Sequence, residues 1–428
     1  MSGQLKRGMN LQSLNGVSYT VKNFIGEGGQ GEVYEVTDGR KNLALKWYHK
    51  HTATPRQEKI LRNLIDAGKP SEDFLWPEDL IISHEKKSFG YTMALRPPEY
   101  KGIVDLMKRR VEPTFFNLCK ACFNLTKGYQ ALHKAGYQYR DISFGNLFFN
   151  PDNGKVLICD NDNVVPNGEK GGGVLGTPTF MAPEIVRGEA YPSRNTDQYS
   201  LAVLLFYMLM LHHPLEGKRE FNIHCMDMPA RNKIYGTNPI FIWDPADDSN
   251  RPVKGHQDNP IIYWQIYPQY IRELFTTAFT VGLREPNRRV TEREWLGAFS
   301  NLLAGLIKCP KCGAENFYNP NHAVNCWSCG NEVRMPSKLV VDSKNFLITA
   351  NTKIFSHFIN DDNDVDTVVA DVKQNPKNPD VWGLRNLTNK SWTYIKKDNS
   401  MIVVEPGKSA KIARDVEISF GKVKGHFE

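Results

Sequence analysis

The sequence predicts an α+β fold, followed by a small metal-binding segment and an all-β C-terminal domain. Strand patterns dominate roughly the first hundred residues, and helical patterns dominate roughly the next two hundred. Two C-x-x-C pairs then occur, separated by thirteen residues. Beyond them, short alternating segments are separated by turns, a pattern that is typical of a β-sandwich.

Length and composition indicate a globular protein of several domains. The chain has 428 residues, which suggests two to four domains, and 40% of its residues are hydrophobic and 24% charged. The formal net charge is +7, but the basic residues are spread along the chain. This distribution argues against a nucleic-acid partner and indicates an ordinary contribution to solubility.

The sequence indicates neither secretion nor membrane insertion. Met1–Asn10 is polar and lacks the apolar centre of a signal peptide. The longest apolar run, Leu201–Leu211, is too short to cross a bilayer and is interpreted as a buried core helix. We therefore expect a cytoplasmic protein with no membrane contact, whose cysteines bind metal rather than form disulfides.

The N-terminal region is interpreted as a leader, a five-stranded sheet and one helix. Residues 1–18 are polar, although Leu5, Leu11 and Leu14 can add a short strand. The predicted strands are Tyr19–Ile25, Glu32–Val36, Asn42–Tyr48, Leu80–Ser83 and Phe89–Ala94. Between the third and fourth strands, Pro55–Leu64 has the apolar spacing of a helix with proline at its start.

A glycine-rich turn joins the first two predicted strands. It contains Gly26, Glu27, Gly28, Gly29, Gln30 and Gly31. Glycines let backbone N–H groups approach phosphate oxygens closely. The same spacing marks dinucleotide-binding folds, but those require a helix after the glycines, and here a β-branched strand follows. We expect a hairpin that covers phosphates; a plain glycine-rich hairpin is the alternative.

A second set of polar residues lies between a predicted helix, Phe115–Ala135, and a predicted hairpin. The loop there carries Asp141 and Asn146, and Asp160 directly follows the hairpin. A loop in this position can hold the three side chains close together. Such oxygen ligands suit Mg²⁺, and a carboxylate among them can accept the proton of a hydroxyl group.

These motifs resemble those of the protein-kinase family. The loop Tyr139–Asn146 resembles H-R-D-L-x-x-x-N, the strand Asn42–Tyr48 resembles V-A-I-K, and Gly176–Glu184 resembles G-T-P-x-Y-M-A-P-E. The resemblance covers roughly residues 19–305, and its motifs occur in the family's order. It implies a bilobal protein-kinase fold, with an N lobe at residues 19–96 and a C lobe at residues 97–305.

The resemblance implies a Ser/Thr protein kinase that uses ATP with Mg²⁺ or Mn²⁺. Asp141 would be the general base for the substrate hydroxyl, and Asn146 and Asp160 would bind the metal. Lys46 would pair with the α- and β-phosphates and would itself be held by an ion pair with Glu58. The other implied ATP-binding residues are those of the glycine-rich turn and Val33, Ala44, Met93 (the gatekeeper) and Leu95 (in the hinge).

Further roles follow from the same resemblance. Thr177 would form a hydrogen bond near Asp141, and Thr179 is a candidate phosphorylation site, with a structural loop hydroxyl as the alternative. Glu184 would pair with Arg289. Asp197 would brace the backbone of the catalytic loop.

The sequence departs from the family pattern at four positions. Tyr139 replaces the usual His of the catalytic loop, and Ser143 replaces the usual Lys. The D-F-G motif becomes Asp160-Asn161-Asp162. Ser143 removes a positive charge from the place where negative charge develops, so we expect an active but slow enzyme. The alternative is a nucleotide-binding pseudokinase scaffold that acts through its C-terminal domains.

Residues 306–334 are expected to form a zinc ribbon. Cys309, Cys312, Cys326 and Cys329 form two C-x-x-C pairs, each followed directly by a glycine. This pattern indicates a closed, structural Cys₄ zinc site whose metal supplies folding energy. Rubredoxin-like iron and free thiols are the alternatives.

Residues 335–428 are expected to form a β-sandwich that acts as an interaction or regulatory domain. The predicted strands are Leu339–Val341, Phe346–Ile348, Val365–Val372, Trp382–Leu387, Trp392–Tyr394, Met401–Val404 and Glu417–Phe420. The region loosely resembles forkhead-associated domains but lacks a clear phosphothreonine-binding signature. The sequence therefore favours a protein-interaction or autoregulatory module.

The order of the domains loosely resembles bacterial Hanks-type kinases of stress and tellurite-resistance phosphorylation clusters. That resemblance implies signalling through protein substrates. It also implies a PP2C-type phosphatase and a von Willebrand-type protein as partners.

Overall fold

The computed structural model describes residues 3–170, 173–318, 324–334, 336–341, 344–350, 352–360 and 362–428, without the side chain of Pro379. Its chain divides into two units. The first comprises Met1–Pro113, Asn124–Ile261 and Glu273–Arg293. The second comprises Thr114–Phe123, Ile262–Arg272 and Glu294–Glu428. The second unit thus contains the predicted cysteine and all-β regions together with segments of the predicted C lobe.

An antiparallel six-stranded sheet opens the first unit. Its strands are β1 (Asn10–Gln12), β2 (Ser18–Glu27), β3 (Gly31–Thr37), β4 (Asn42–Tyr48), β5 (Asp79–Ser83) and β6 (Ser88–Ala94), in the order β1-β2-β3-β4-β6-β5. Alternating apolar residues of the central strands, among them Val36, Leu45 and Trp47, are fully buried in one core cluster. The same alternation places Lys46 on the opposite face, beside Val33 of β3 and Tyr91 of β6 in register.

The predicted leader contributes the sixth strand, so the prediction of a five-stranded sheet is wrong. Leu11 of β1 pairs with Tyr19 of β2. Leu5 and Leu11 belong to the core cluster beneath β2 and β3, whereas Leu14 is 52% exposed. The short strand that the sequence allows within residues 1–18 is therefore present as β1, and the sheet has six strands rather than five.

Helix α1 (Pro55–Ala67) follows the third core strand, β4. Thr54 caps its first turn by accepting a hydrogen bond from the Gln57 N–H at 3.2 Å. Leu61 and Leu64 are its buried residues, and Gly68 ends it with a positive φ of 72°. The capping and the apolar spacing fix which face of α1 meets the sheet.

The rest of the predicted kinase region is mostly helical. Its helices are α2 (Ile103–Met107), α3 (Phe115–Lys134), α4 (Pro183–Val186), α5 (Arg194–Met210), α6 (Lys218–Phe221), α7 (Met228–Asn232), α8 (Asp258–Ile266), α9 (Gln269–Phe279), α10 (Val281–Arg284) and α11 (Glu292–Ala304). Helix α5 is buried from Thr196 to Met210, as the sequence predicts for a core helix. Among the helices of the described residues, none contains a stretch long and apolar enough to span a bilayer.

Short strands hold the catalytic loop at both ends. They are β7 (Lys101–Gly102), β8 (Tyr137–Gln138), β9 (Leu147–Phe149), β10 (Val156–Ile158) and β11 (Val165–Pro166). The β9–β10 hairpin is the predicted one, and β7 joins its edge, while β8 pairs with β11. Because the loop runs from β8 to β9, both of its ends are hydrogen-bonded to other strands.

Two small hairpins and two antiparallel sheets make up the C-terminal part of the second unit. The hairpins are β12 (Leu306–Lys308) with β13 (Glu315–Phe317), and β14 (Val324–Asn325) with β15 (Glu332–Val333). The later elements are β16 (Lys338–Val341), β17 (Lys344–Leu347), β18 (Lys353–Phe355), α12 (Ser356–Ile359), β19 (Val368–Asn375), β20 (Asn378–Asn386), β21 (Trp392–Ile395), β22 (Met401–Val404), β23 (Ser409–Lys411), β24 (Glu417–Ser419) and β25 (Lys424–Phe427). One sheet has the order β17-β16-β25-β24-β21-β22 and the other β18-β19-β20-β23.

The sequence pattern indicates most strands of the two larger sheets, but not β18, β23 and β25. All three are short and begin or end with polar residues, and β18 and β23 are edge strands that bury only one face. Such segments carry too few apolar residues to show a clear alternation.

Within the second unit, the first turns of α3 contact both the cysteine hairpins and the later strands. The Phe115 ring lies 5.3 Å from that of Phe317 and 5.8 Å from that of Trp327, measured between centroids. The Lys120 ammonium lies 2.5 Å from a carboxylate oxygen of Asp366. These aromatic and ionic contacts tie the C-terminal segments to a kinase-region helix.

The structure predicts that Leu11→Ala destabilises the first unit. The substitution removes buried methyl groups, so we expect a loss of about 2 kcal/mol of unfolding free energy in chemical denaturation. The matched control is Leu14→Ala, whose side chain is exposed and whose effect should stay within about 0.5 kcal/mol. Equal effects of the two variants would contradict the place of β1 in the sheet.

Candidate active site

A buried lysine stands at the centre of the site. The Lys46 side chain is 5% exposed, and its Nζ lies 2.9 Å from Asp162 Oδ2 and 3.1 Å from Asp160 Oδ1. It also donates to Gln30 Oε1 of the glycine-rich turn at 2.8 Å. Burial acts to lower the pKa of Lys46, but the charges of Asp162 and Asp160 outweigh it and raise the pKa. Lys46 is therefore a charged group in a buried position.

Asp160 occupies a strained backbone position. Its φ is 55°, in the left-handed region, and it precedes the 3₁₀ turn Asn161–Asn163. Burial raises the pKa of Asp160, Lys46 opposes the change, and the nearby charges of Asp162 and Asp141 add to it. The side chain remains 41% exposed, so one carboxylate at Lys46 can also be reached from the cleft.

Asn161 replaces the aromatic residue of the family motif and is anchored by hydrogen bonds. Its side chain is fully buried, and Nδ2 donates to the carbonyls of Leu75 at 2.8 Å and Ile158 at 3.0 Å. Backbone anchoring thus holds the turn after Asp160 where the family uses aromatic packing.

The catalytic loop brings Asp141, Asn146 and Thr177 together. Asn146 Nδ2 donates to the Asp141 carbonyl at 2.8 Å and to Asp141 Oδ2 at 3.2 Å. Thr177 Oγ1 donates to Asp141 Oδ1 at 2.8 Å. Both carboxylate oxygens of Asp141 are therefore held in place, one by each neighbour. This arrangement matches the positions that the sequence pattern assigns to all three residues.

A second buried charge cluster fixes the backbone of the same loop. Asp197 accepts hydrogen bonds from the N–H groups of Tyr139 at 2.6 Å and Arg140 at 3.0 Å. The His133 ring lies between two carboxylates, with Nε2 3.1 Å from Asp197 and Nδ1 2.6 Å from Glu292. The brace predicted for Asp197 is present, and His133 and Glu292 extend it.

The charges of this cluster stabilise one another. Burial acts to lower the pKa of His133, but the two carboxylates outweigh it and raise the pKa to about 9. Burial acts to raise the pKa of Glu292, but His133 and Arg194 outweigh it and lower the pKa to about 2. The imidazole is therefore charged at neutral pH. Sequence reasoning missed both residues, because neither belongs to a motif and their pairing spans more than 150 positions.

An ion pair holds the end of the segment Gly176–Glu184, which the resemblance to kinases makes the end of the activation segment. Arg289 donates to both carboxylate oxygens of Glu184 at 2.8 Å, as the sequence pattern predicts. Such a bidentate pair fixes distance and orientation together. Thr179 is half-buried, and its carbonyl accepts a hydrogen bond from His213 at 2.9 Å.

Four residues predicted to contact adenine share one apolar cluster. They are Val33, Ala44, Met93 and Leu95. Ala44 lies opposite Met93 in the β4–β6 register. The pocket wall is therefore assembled from β3, β4, β6 and the segment that follows β6.

The glycine-rich turn connects two strands, which excludes the helix that a dinucleotide-binding fold requires. Gly28 N–H donates to the Gly31 carbonyl at 2.8 Å and closes the turn. A Cβ at Gly31 would lie 2.2 Å from the Trp47 carbonyl oxygen, so a side chain cannot fit there. Gln30 points inward, because its amide donates to Asn163 Oδ1 at 3.0 Å while its oxygen accepts from Lys46.

The prediction of an ion pair between Lys46 and Glu58 is wrong. Glu58 pairs instead with Arg62, one turn along α1, at 2.7 Å. The neighbouring Gln57 is the α1 residue that reaches the site, where its amide donates to the Asp162 carbonyl at 2.7 Å. The side chain of Asp162 already supplies the buried carboxylate at Lys46, so no second one is needed from α1.

The four clustered cysteines converge in the second unit. The Sγ atoms of Cys309, Cys312, Cys326 and Cys329 all lie within 4.8 Å of one another, and none of the four is in a disulfide. Two of the Sγ–Sγ distances are 3.6 and 3.7 Å. Tetrahedral zinc with bonds of about 2.3 Å requires sulfur separations of about 3.8 Å. The thiol geometry therefore fits such an ion.

Comparison with known proteins identifies the family. A family model described as a protein kinase domain matches residues 19–291, which is more than half of the chain. The chain belongs to the protein kinase family. The family implies the bilobal α+β fold, in agreement with the sheet and helices of residues 10–304.

Several similar proteins from different organisms are named as kinases. A probable serine/threonine-protein kinase, CCRP1, of Zea mays is 29% identical over 206 residues, or 46% of this kinase chain. The serine/threonine-protein kinase PknD of Chlamydia abortus is 27% identical over 48% of the chain. The protein kinase YegI of Escherichia coli K12 is 23% identical over 76% of the chain. The matched regions span 32%, 25% and 50% of those proteins' own lengths.

The buried His133 predicts a pH dependence of this kinase's stability. Its pKa rises from 6.5 to about 9 on folding, so its contribution is complete below pH 6.5 and is lost as pH rises through about 9. The full effect is about 3 kcal/mol of unfolding free energy. Denaturation of wild type and His133→Asn at pH 6.5, 8 and 9.5 measures it, with the exposed His51→Asn as control. Parallel pH profiles for wild type and His133→Asn would contradict the charged state.

Proposed function

We propose that this kinase is a bacterial Hanks-type Ser/Thr protein kinase that transfers the γ-phosphate of ATP to protein hydroxyls, including its own. One observation carries the proposal. Lys46, Asp141, Asn146 and Asp160 occur in one connected site, next to an apolar wall that suits adenine. Phosphoryl transfer requires positioning and electrostatic stabilisation of this kind.

The chain's own residues supply distinct parts of the reaction. Asp141 accepts the proton of the attacking hydroxyl, and Thr177 and Asn146 keep its carboxylate oriented. Lys46 provides positive charge for the α- and β-phosphates. Asp160 and Asn146 present oxygen ligands that fit Mg²⁺ or Mn²⁺, which neutralises phosphate charge when it is bound.

Ser143 makes this a slow kinase in our proposal. It is 7% exposed and neutral, so it cannot supply the charge that the family's lysine gives to the transferred phosphoryl group. Loss of one positioned charge costs on the order of 3 kcal/mol of transition-state stabilisation. The same residue supports the second candidate function, a pseudokinase scaffold that binds nucleotide and acts through its C-terminal domains.

The four thiols are proposed to bind one structural zinc ion. Their separations fit tetrahedral coordination, and the φ values of Gly313 and Gly330, 76° and 70°, permit the tight turns after each cysteine pair. We assign the zinc ribbon to residues 306–334 and the β-domain to residues 335–428. The β-domain would serve interaction or regulation.

The cellular setting is also a proposal. The resemblance in domain order supports stress signalling with a PP2C-type phosphatase and a von Willebrand-type protein. None of the described cysteines is in a disulfide, which supports a reducing compartment and hence the cytoplasm.

Substitution of Asp141 or Lys46 tests the kinase proposal. We expect Asp141→Asn and Lys46→Met to lower phosphate incorporation from γ-labelled ATP by about 100-fold or more, because each removes a positioned charge. Asp152→Asn, at an exposed hairpin turn, is the matched control and should behave as wild type. If the wild type binds ATP but transfers no phosphate to itself or to a broad panel of proteins, the pseudokinase scaffold is favoured instead.

Metal analysis tests the zinc proposal. Purified protein should contain about one zinc ion per chain, and Cys326→Ser should lose most of it because one of four ligands is removed. Cys225→Ser, at an exposed cysteine outside the cluster, should retain the metal. Iron in place of zinc, or equal metal content in both variants, would refute the assignment.

A further inference from the structure

A second carboxylate at Lys46 distinguishes this chain from its family motif. Both oxygens of Asp162 lie within hydrogen-bonding distance of Lys46 Nζ, at 3.1 and 2.9 Å. The Tyr48 hydroxyl donates to Asp162 Oδ2, and the Gln57 amide donates to the Asp162 carbonyl at 2.7 Å. Side chain and backbone of Asp162 are thus both held at the phosphate-binding lysine.

Burial makes the Lys46–Asp162 pair mutually dependent. The Asp162 side chain is fully inaccessible, and that of Lys46 is 5% exposed. A buried charge is tolerated when an opposite charge and hydrogen bonds replace the lost water. Among the described residues, the Asp162 carboxylate contacts Lys46 and Tyr48. Lys46 is therefore the charge that Asp162 requires.

Asp160 and Glu58 are less suited to hold Lys46 during turnover. Asp160 is 41% exposed and presents oxygen to the cleft, where the proposed metal is to be bound. Glu58 is engaged by Arg62 at 2.7 Å. Among the described residues, Lys46 is the cation that pairs with Asp162, so this pair can remain when Asp160 binds a metal.

The local backbone explains how residue 162 reaches the lysine. Asp160 adopts a left-handed conformation, and the 3₁₀ turn Asn161–Asn163 follows directly. Two hydrogen bonds from Asn161 to carbonyls hold that turn. The family motif has glycine at position 162, which offers no carboxylate. Asp162, in place of the glycine, pairs with Lys46, and Glu58 pairs with Arg62 instead of Lys46. These two differences from the family pattern therefore belong together.

We propose that Asp162 is the positioning residue that orients Lys46 toward the phosphates of ATP, in the place of a carboxylate from α1. The inference rests on the proposed kinase function, because it assigns a partner to the lysine of that site. It implies that the orientation of Lys46 does not require an ion pair with Glu58.

The test compares three variants in Mg²⁺·ATP binding and phosphate transfer. Asp162→Asn keeps the shape and removes the charge, Glu58→Gln does the same on α1, and Asp66→Asn is an exposed control on α1. We expect Asp162→Asn to weaken binding of a fluorescent ATP analogue by about tenfold and to lower transfer, because the ion pair is lost. We expect Glu58→Gln to change either quantity by less than about threefold. The proposal would be overturned if Glu58→Gln strongly weakened nucleotide binding while Asp162→Asn bound nucleotide as tightly as the wild type.

A double-mutant cycle separates positioning of Lys46 from a general structural role. In a Lys46→Met background, Asp162→Asn should cause less than about a twofold further change in affinity, because its effect acts through the lysine. A further loss as large as in the wild-type background would contradict positioning. Affinities are compared for variants whose thermal midpoints show a folded protein.

If Asp162→Asn does not fold, the Tyr48→Phe variant provides a second test of the proposal. It removes the hydroxyl that holds Asp162 Oδ2 and should weaken nucleotide binding by about threefold. Unchanged affinity would overturn the proposal. If the wild type binds the analogue but transfers no phosphate, the kinase proposal fails while the affinity comparison still tests Asp162.

Discussion

The burial of Lys46 between two carboxylates is the interaction on which the site depends. A lysine with 5% of its side chain exposed needs fixed negative charge, and Asp160 and Asp162 supply it at 3.1 and 2.9 Å. These contacts tie strand β4 to the turn that follows β10. The same cluster draws in Gln30 of the glycine-rich turn. The sheet, the glycine-rich turn and the turn that contains Asp160 and Asp162 are therefore joined through one ammonium group.

Two other buried charge groups apply the same principle elsewhere in the first unit. His133 bridges Asp197 and Glu292, and Asp197 in turn holds the catalytic-loop backbone. Arg289 pairs with Glu184 at the end of the activation segment. In each case, removal of one partner takes compensating charge away from a buried group, which destabilises the fold. Buried charge pairs therefore hold both the loop that carries Asp141 and the segment that ends at Glu184.

The sequence is sufficient to predict the positions of residues that belong to motifs. It does not predict which partner a charged side chain outside those motifs takes. The places of Lys46, Asp141, the Glu184–Arg289 pair and the four cysteines follow from residue type and order. The Lys46–Glu58 pair does not form, because Glu58 pairs with Arg62 on α1, and the sequence pattern of α1 does not show which of these two partners Glu58 takes. The pairing of His133 with Glu292 could not be predicted either, because neither residue belongs to a motif.

A crystal structure of the chain with Mg²⁺ and a non-hydrolysable ATP analogue tests the central claim most directly. The quantity to measure is the distance from Lys46 Nζ to the carboxylates of Asp162 and Glu58. The account predicts that Lys46 stays paired with Asp162 while it contacts the phosphates and Asp160 binds the metal. A complex in which Lys46 pairs with Glu58, and Asp162 has turned away, would contradict it.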